Sequence, residues 1–464
     1  MTRLHVRYWL LAGLGIMLDG FDFFIIGVAN PLVGNDFGLE AAVKGLVSSA
    51  AIIGAIFGAG LLGPLGDKLG RRRIFKLDLI LFVVFSLLCV VAWNAAALIV
   101  FRFVLGVAIG LDYPIAASYL AEVLPRKARG RWLTAAFSLQ AAGILLGAVV
   151  GVIVLEAAPE VWPWRIMLGL GAVPTLVIIY LRRTVPESPR WLVQNGRPEE
   201  ARQIAEALAQ RPVAVTAQDT TRAQPAPEGL RALVQPALFT RALRRRTIFT
   251  AVPWFLMDIA TYGVGIFTPT ILAAIAIKGA NTTFLADDIS ATKGTAALDV
   301  FLMIGFVAAI VLVDRVGRIP LQITGFAVMA VALAILALAE GLPGGADAHL
   351  AMVVVGFVLL NTFMNAGPNA TTYTLAAEVF PSEYRAAGQG FAAAMAKFGA
   401  AFGVFLFPVL QDDIGTSALL ALIAGACVVA LVVTVAFRIE TKGRSVEELS
   451  GRHLAPLAAR PVPP

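Results

Sequence analysis

The sequence predicts an all-α membrane protein of twelve transmembrane helices, arranged as two pseudo-symmetric six-helix halves. Three observations carry that expectation. The chain is 59% hydrophobic and only 14% charged over 464 residues, with a mean hydropathy of +0.82. That is too little charge to cover a water-soluble domain of this size. Apolar runs long enough to cross a bilayer as helices, about 20 residues each, recur along the whole chain. Short loop motifs of the first half return in the second.

The first six spans are expected near residues 8–33, 43–65, 75–95, 97–124, 132–157 and 163–183. The last six are expected near 247–277, 294–313, 319–340, 349–377, 386–410 and 417–438. The domain division that follows is 1–184 for the N-terminal bundle, 185–246 for a central loop, 247–440 for the C-terminal bundle and 441–464 for a tail. Within the central loop, Pro198 to Gln210 reads as a short helix rich in Ala and Glu, and Arg211 to Gly229 as a loose Pro/Ala/Gln/Thr linker.

Orientation follows from the cations. One set of loops carries Lys68, Arg71, Arg72 and Arg73; Arg126, Lys127, Arg129 and Arg131; the central stretch; Arg315 and Arg318; Arg385; and Arg438, Lys442 and Arg444. The opposite set carries Lys44, Arg165, Lys278 and Lys293. The first set is expected to face the cytoplasm, with both termini, in a multi-pass cell-membrane protein, and the Ala/Gly/Arg richness hints at a bacterial inner membrane. The net charge of +7 is accounted for by these loops, so no nucleic-acid partner is implied. Cys89 and Cys427 lie far apart in apolar runs, with no disulfide framework and no metal spacing. No nucleophile–His–acid set or phosphate-cradling glycine loop is present, so enzyme function and an organic or metal cofactor are not expected.

The repeat is specific. Asp67-Lys68-Leu69-Gly70-Arg71 recurs as Asp314-Arg315-Val316-Gly317-Arg318, and Ala121-Glu122-Val123-Leu124-Pro125 with Arg129 recurs as Ala377-Glu378-Val379-Phe380-Pro381 with Arg385. Pro186-Glu187-Ser188 has its partner in Glu440-Thr441-Lys442-Gly443. The offset is about 250 residues each time. Two such halves rocking about a midplane site are the build of an alternating-access transporter. The loop charges Asp67, Arg71, Glu122, Arg129, Asp314, Arg318, Glu378 and Arg385 are expected to pair, and to bias the two access states as pairs break and re-form.

The stretch Pro253–Pro269 carries Trp254, Asp258 and Tyr262 at four-residue intervals inside an apolar run. On a helix they share one face. A carboxylate at membrane depth is costly and normally faces a partner or a water-filled cavity. An interfacial aromatic belt with a paired acid is the plainer account, but belts sit at helix ends. Asp19 and Asp22, three apart in the first span, sit on neighbouring faces of one turn. Two acids this close in a low-dielectric site do not both stay ionised, which suits proton handling. Gly20 and Pro31 are expected to loosen that helix. With His5, His349 and His453 all at run edges or in the tail, carboxylates must carry any protons moved within the membrane.

In the fourth span Arg102 is expected to pair with a membrane acid that the sequence does not identify. Asp112-Tyr113 before Pro114 is expected at a local break, since the residue before proline is pushed out of helical geometry. Gln140 in the fifth span and Lys397 in the eleventh fall at near-equivalent positions of the repeat, as Asp19 and Asp258 do roughly. Asn361, Asn365 and Gly367-Pro368-Asn369-Ala370-Thr371-Thr372-Tyr373 fill the tenth. Donors plus one cation favour an oxyanion. The acids fit if that anion keeps protons of its own, or if an Asp is itself protonated. An uncharged sugar would call for more amides and fewer acids.

The loop Gly63–Arg72 resembles the signature loop of the major facilitator superfamily, and Glu187-Ser188-Pro189-Arg190-Trp191 and Glu440-Thr441-Lys442-Gly443 resemble its sugar-porter branch. Asp112-Tyr113-Pro114, the Gly367–Thr372 segment followed by Glu378-Val379-Phe380-Pro381, the Trp254/Asp258/Tyr262 triad, the Asp19/Asp22 pair and Lys397 are together similar to the phosphate:proton symporters of that superfamily. The resemblance implies phosphate binding at Tyr113, Gln140, Trp254, Asp258, Tyr262 and Asn369, with Lys397 beside the site. It implies a proton path through Asp19, Asp22, Asp112 and Asp258. Leu111, and Ile115-Ala116, depart from that family's motif, and Asp19-Gly20-Phe21-Asp22 also resembles aromatic-acid:proton symporters. The expectation is a proton-coupled symporter of a small oxyanion, first of all inorganic phosphate, with protons and the lipid bilayer as its other partners. Symport of an organic acid or a sugar, and a nutrient receptor that signals without net transport, stand as alternatives.

Overall fold

The computed structural model describes residues 2–59, 69–124, 132, 135–209, 236–276, 284–381 and 384–441. Helices dominate: α1 (Arg3–Asp36), α2 (Ala41–Phe57), α3 (Arg71–Val90), α4 (Ala95–Val123) and α5 (Leu139–Ala157) are followed by α6 (Trp164–Leu170) and α7 (Ala172–Arg182), which together make the sixth span. Between the halves lie α8 (Pro189–Gln194) and α9 (Pro198–Ala209). The second half holds α10 (Arg244–Ala276), α11 (Phe284–Leu312), α12 (Arg318–Gly341), α13 (Leu350–Ala366) and α14 (Pro368–Val379), the last two forming the tenth span. It ends with α15 (Arg385–Phe437). Gly415, at φ +81°, divides α15 into the eleventh and twelfth spans. Among the described residues nine stretches are long and apolar enough to cross a membrane. Dividing α15 and adding the apolar α2 and the Arg-headed α3 gives the expected twelve.

The repeat is visible in backbone contacts. A Cβ on Gly143 of α5 would lie 1.8 Å from the Met17 carbonyl oxygen of α1, and one on Gly399 of α15 would lie 2.2 Å from that of Phe255 in α10. Gly54 of α2 would meet Phe103 O of α4 at 2.0 Å, and Gly305 of α11 would meet Thr362 O of α13 at 2.4 Å. Spans one and five therefore touch as spans seven and eleven do, and spans two and four as eight and ten do. Glycine at these crossings lets the backbones close without a side chain between them.

Across the halves the chain is also closely packed. Gly27 of α1 abuts Ile266 O of α10, and Gly45 of α2 abuts Phe405 O of α15. Lys293 of α11 pairs with Glu156 of α5 at 2.6 Å on the face opposite the basic loops.

Three expectations need correction. The eighth span begins at Phe284, ten residues earlier than the charge pattern implies: Asp288 is buried, so its charge does not mark a solvent-facing loop. The break expected at Asp112–Pro114 is absent: α4 runs unbroken to Val123. A proline is tolerated within a transmembrane helix where neighbouring groups re-satisfy the freed backbone. α1 likewise continues through Gly20 and Pro31 to Asp36. A true interruption sits instead at Gly367 (φ −118°, ψ −101°), where α13 ends and Pro368 takes the first turn of α14. Proline suits that position, since its missing N–H would have had no helical partner there. The helix expected from Pro198 is present as α9, whereas the Arg211–Gly229 linker lies outside the described residues.

Candidate functional site

The site is assembled from α1, α5, α10, α14 and α15. Trp254, Asp258 and Tyr262 share one face of α10 and are all buried, as expected. Eight residues of helix set the first and last about 12 Å apart along the axis. At the Tyr262 end, the Lys397 ammonium donates to Tyr262 Oη at 3.0 Å and Gln140 Nε2 donates to the same oxygen at 3.3 Å. The predicted pair Gln140/Lys397 thus converges on one phenol from opposite halves. Lys397 also stands 5.5 Å from the Phe23 ring centroid, and Phe23 and Phe24 flank Tyr262 at 6.0 and 5.8 Å. Lys397 interacts electrostatically with Asp258 and with Asp19. One cation is therefore shared between an acid of each half. At the other end, Trp254 meets Tyr373 edge-on at 6.1 Å, and Tyr373 packs on Phe137 of the first half at 4.5 Å. Asn369, one turn before Tyr373, donates to Asn365 Oδ1 at 2.7 Å across the Gly367 interruption. The backbone of Tyr113 lies in α4, but its side chain lies outside the described residues.

The remaining acids are not equivalent. Asp22 is held by Arg102, Nη2 to Oδ2 at 3.3 Å, with both side chains essentially sealed from solvent. Asp19, one turn earlier, is buried with Oδ2 lacking any hydrogen-bond partner. Asp112 is clamped by Arg182, whose Nη1 and Nη2 reach its two oxygens at 2.8 and 3.4 Å. Arg182 also donates to the carbonyls of Leu11 and Ala12 in α1, and lies 3.9 Å from Asp78 of α3. Gly15 makes this possible: a Cβ there would sit 2.1 Å from Asp112 Oδ2. Sequence reasoning missed Arg182 and Asp78. Arg182 ends α7, where a cation reads as an orientation signal, and Asp78 lies inside α3, as its eighth residue. Only the pairing of Asp112 with some cation would have pointed to Arg182. Asp19 lies between the two groups and interacts with Asp112 and Arg182 on one side and Lys397 on the other.

On the basic side, Arg318 pairs with Asp314 and with Glu378, each at 3.1 Å, and Thr441 Oγ1 donates to Glu378 at 2.5 Å. In the first half Glu187 takes the backbone N–H groups of Arg71 (2.9 Å) and Arg72 (3.2 Å), a carboxylate on the N-terminus of α3. Gly70 and Gly317 open α3 and α12 at φ +93° and +108°. Asp67 and Arg129, and the side chains of Glu122 and Arg385, lie outside the described residues.

Comparison with known proteins returns a consistent result. Residues 9–451 match the family model described as "Sugar (and other) transporter". The chain is 31% identical to "Probable inorganic phosphate transporter 1-6" of Arabidopsis thaliana, over 96% of this chain and 93% of that protein. It is 30% identical to "Putative metabolite transport protein YaaU" of Escherichia coli (strain K12), over 97% and 95%. Among solved structures it is similar to the inward-open xylose transporter XylE from E. coli, with a TM-score of 0.78 at 22% identity over 96% and 99% of the two chains. It also matches the major facilitator superfamily proton:xylose symporter XylE bound to 6-bromo-6-deoxy-D-glucose, with a TM-score of 0.75 at 22% identity over 96% and 98%.

Proposed function

Because the chain belongs to the sugar (and other) transporter family and has the major facilitator fold, we propose that it is a proton-coupled symporter of a small oxyanion, inorganic phosphate. The observation that carries this is the convergence of Lys397, Tyr262 and Gln140 beside Asp258 at the junction of the halves. Lys397 supplies the positive charge, and Gln140, Trp254, Tyr262 and Asn369 supply N–H and O–H donors for oxyanion oxygens. An acid at Asp258 excludes a fully ionised anion and accepts one that still carries protons, or donates a proton itself. The names of phosphate-transporting relatives support the same substrate.

Residues 1–184 and 247–440 are the two bodies that rock about this junction; 185–246 links them and 441–464 is the tail. The basic loops and both termini face the cytoplasm. Asp19 passes protons between the Asp258–Lys397 centre and Asp112. Asp22 serves that path indirectly, through its bond to Arg102. The chain carries out no covalent chemistry and uses no cofactor beyond the proton.

The test is uptake of labelled phosphate into proteoliposomes holding the purified protein, with and without an inward proton gradient. Uptake that rises with the gradient and is lost in Asp258→Asn supports the proposal. Gradient-driven uptake that survives Asp258→Asn refutes the mechanism. Inhibition by benzoate or xylose, with no phosphate uptake, reassigns the substrate.

A further inference from the structure

A cavity of about 480 Å³ opens on the basic side, well away from the central junction, between α3, α8 and α9. Its volume is in the range of small-molecule sites, ~300–1,000 Å³. Four cations line it (Arg72, Arg73, Lys76 and Arg197) against two acids, Glu187 and Glu200. Both acids are already engaged. Glu187 caps α3, and Glu200 takes the Arg197 guanidinium in two bonds of 2.6 Å. Arg73 and Lys76 are exposed and, among the described residues, make no hydrogen bond or ion pair. Among the described residues the cavity therefore presents two unpaired cations, Arg73 and Lys76, with Trp191, Leu192 and Ile204 as its apolar wall.

The surroundings define what fits. Leu77, Ile80, Val84 and Leu87, an exposed apolar stripe, continue the helix face of Arg73 and Lys76 into the span. Tyr180 of α7 is 59% exposed with Arg183 stacked 3.7 Å from its ring centroid, as an aromatic at the membrane–water boundary is. Arg72 Nη2 donates to the Arg183 carbonyl, so the cavity mouth and that boundary lie at the same depth. Basic pockets at such a level bind anionic lipid head groups.

We propose that this cavity holds the phosphate-bearing head group of an anionic glycerophospholipid, with its acyl chains along Leu77, Ile80, Val84 and Leu87. The phosphate oxygens take Arg73 and Lys76, and Trp191 closes the inner wall. Such a lipid would pin α8 and α9 to α3, next to the Glu187 cap. This site is independent of what the central junction carries.

The experiment is native mass spectrometry of the full chain in detergent, supplied with phosphatidylglycerol or phosphatidylcholine. Wild-type protein should retain phosphatidylglycerol preferentially. Arg73→Gln/Lys76→Gln should lower that retention on the order of tenfold or more and leave phosphatidylcholine unchanged, while Arg73→Lys/Lys76→Arg should keep it. Millimolar inorganic phosphate should not displace the lipid. Equal phosphatidylglycerol retention in the double glutamine variant, or an equal loss of phosphatidylcholine, overturns the proposal. Displacement by inorganic phosphate also overturns it and makes the cavity a site for a soluble anion. Should the double variant fail to fold, Arg73→Gln and Lys76→Gln taken singly decide the matter, each expected to lose retention several-fold.

Discussion

Replacing Arg102 with methionine should be among the most damaging conservative changes in the first half. The guanidinium is fully buried and sits 3.3 Å from Asp22. At an effective dielectric of about 20, two unit charges at that separation attract by about 5 kcal/mol. Removing one partner of a buried pair typically costs ~3–5 kcal/mol, because the other charge stays uncompensated. With an unfolding entropy of ~2.1 cal/mol/K per residue over 464 residues, that is a fall in Tm of about 3–5 °C. Arg102→Met/Asp22→Asn removes both charges and should recover at least half of the loss. The assay is thermal unfolding followed with a thiol-reactive dye, since Cys89 and Cys427 are both free and buried. If Arg102→Met and Asp22→Asn each cost under about 1 kcal/mol and add independently, the pair is not coupled and the reasoning fails.

Other changes test other links. Tyr262→Phe removes the oxygen on which Lys397 and Gln140 converge; kcat/KM for uptake should fall ~10–100-fold, the worth of a charge-assisted bond, with the melting temperature little changed. Gly399→Ala puts a Cβ 2.2 Å from Phe255 O and should destabilise by about 1–3 kcal/mol, whereas Gly425→Ala, with open space around it, should be neutral or stabilising by up to about 1 kcal/mol; paired melts check this. Gly317→Ala, at φ +108°, forces a side chain into a region that L-residues avoid and should cost about 1–3 kcal/mol in the same melts.

The architecture was legible because its signals are repeated. Two copies of the Asp-x-x-Gly-Arg loop point to the same turn, and both glycines adopt the positive φ that such a turn needs. The Trp254/Asp258/Tyr262 face was legible from helical period alone. What a single chain does not carry is pairing between spans distant in sequence. Arg102 announces that it needs an acid, yet Asp22 is eighty residues away. Arg182 carries no signal in the sequence, and its role is seen only when α1 and α4 are brought against it. The start of α11 was misjudged for a related reason: Asp288 is polar by type but buried by position, and composition windows register only the type. The Gly367 interruption and the unbroken course of α4 through Pro114 exchange the places where irregularity was expected. Proline marks where a backbone hydrogen bond is lost, while the surrounding helices decide whether the axis bends.

The glycine crossings within each half also limit how this sequence can drift. Gly54, Gly143 and Gly399 meet a neighbouring main chain alone, and Gly305 meets a main-chain oxygen first. No repacking of neighbours can absorb an added methyl at such a point. An α-helix turns about 100° per residue, so one residue inserted or deleted between two crossings on a span swings the next glycine away and presents a larger residue in its place. Length change is therefore tolerated only outside the spans. The central stretch, the loops and the tail are where lineages of this architecture are free to grow or shrink, and the spans are held to a fixed count of residues by contacts made first of all with main chains.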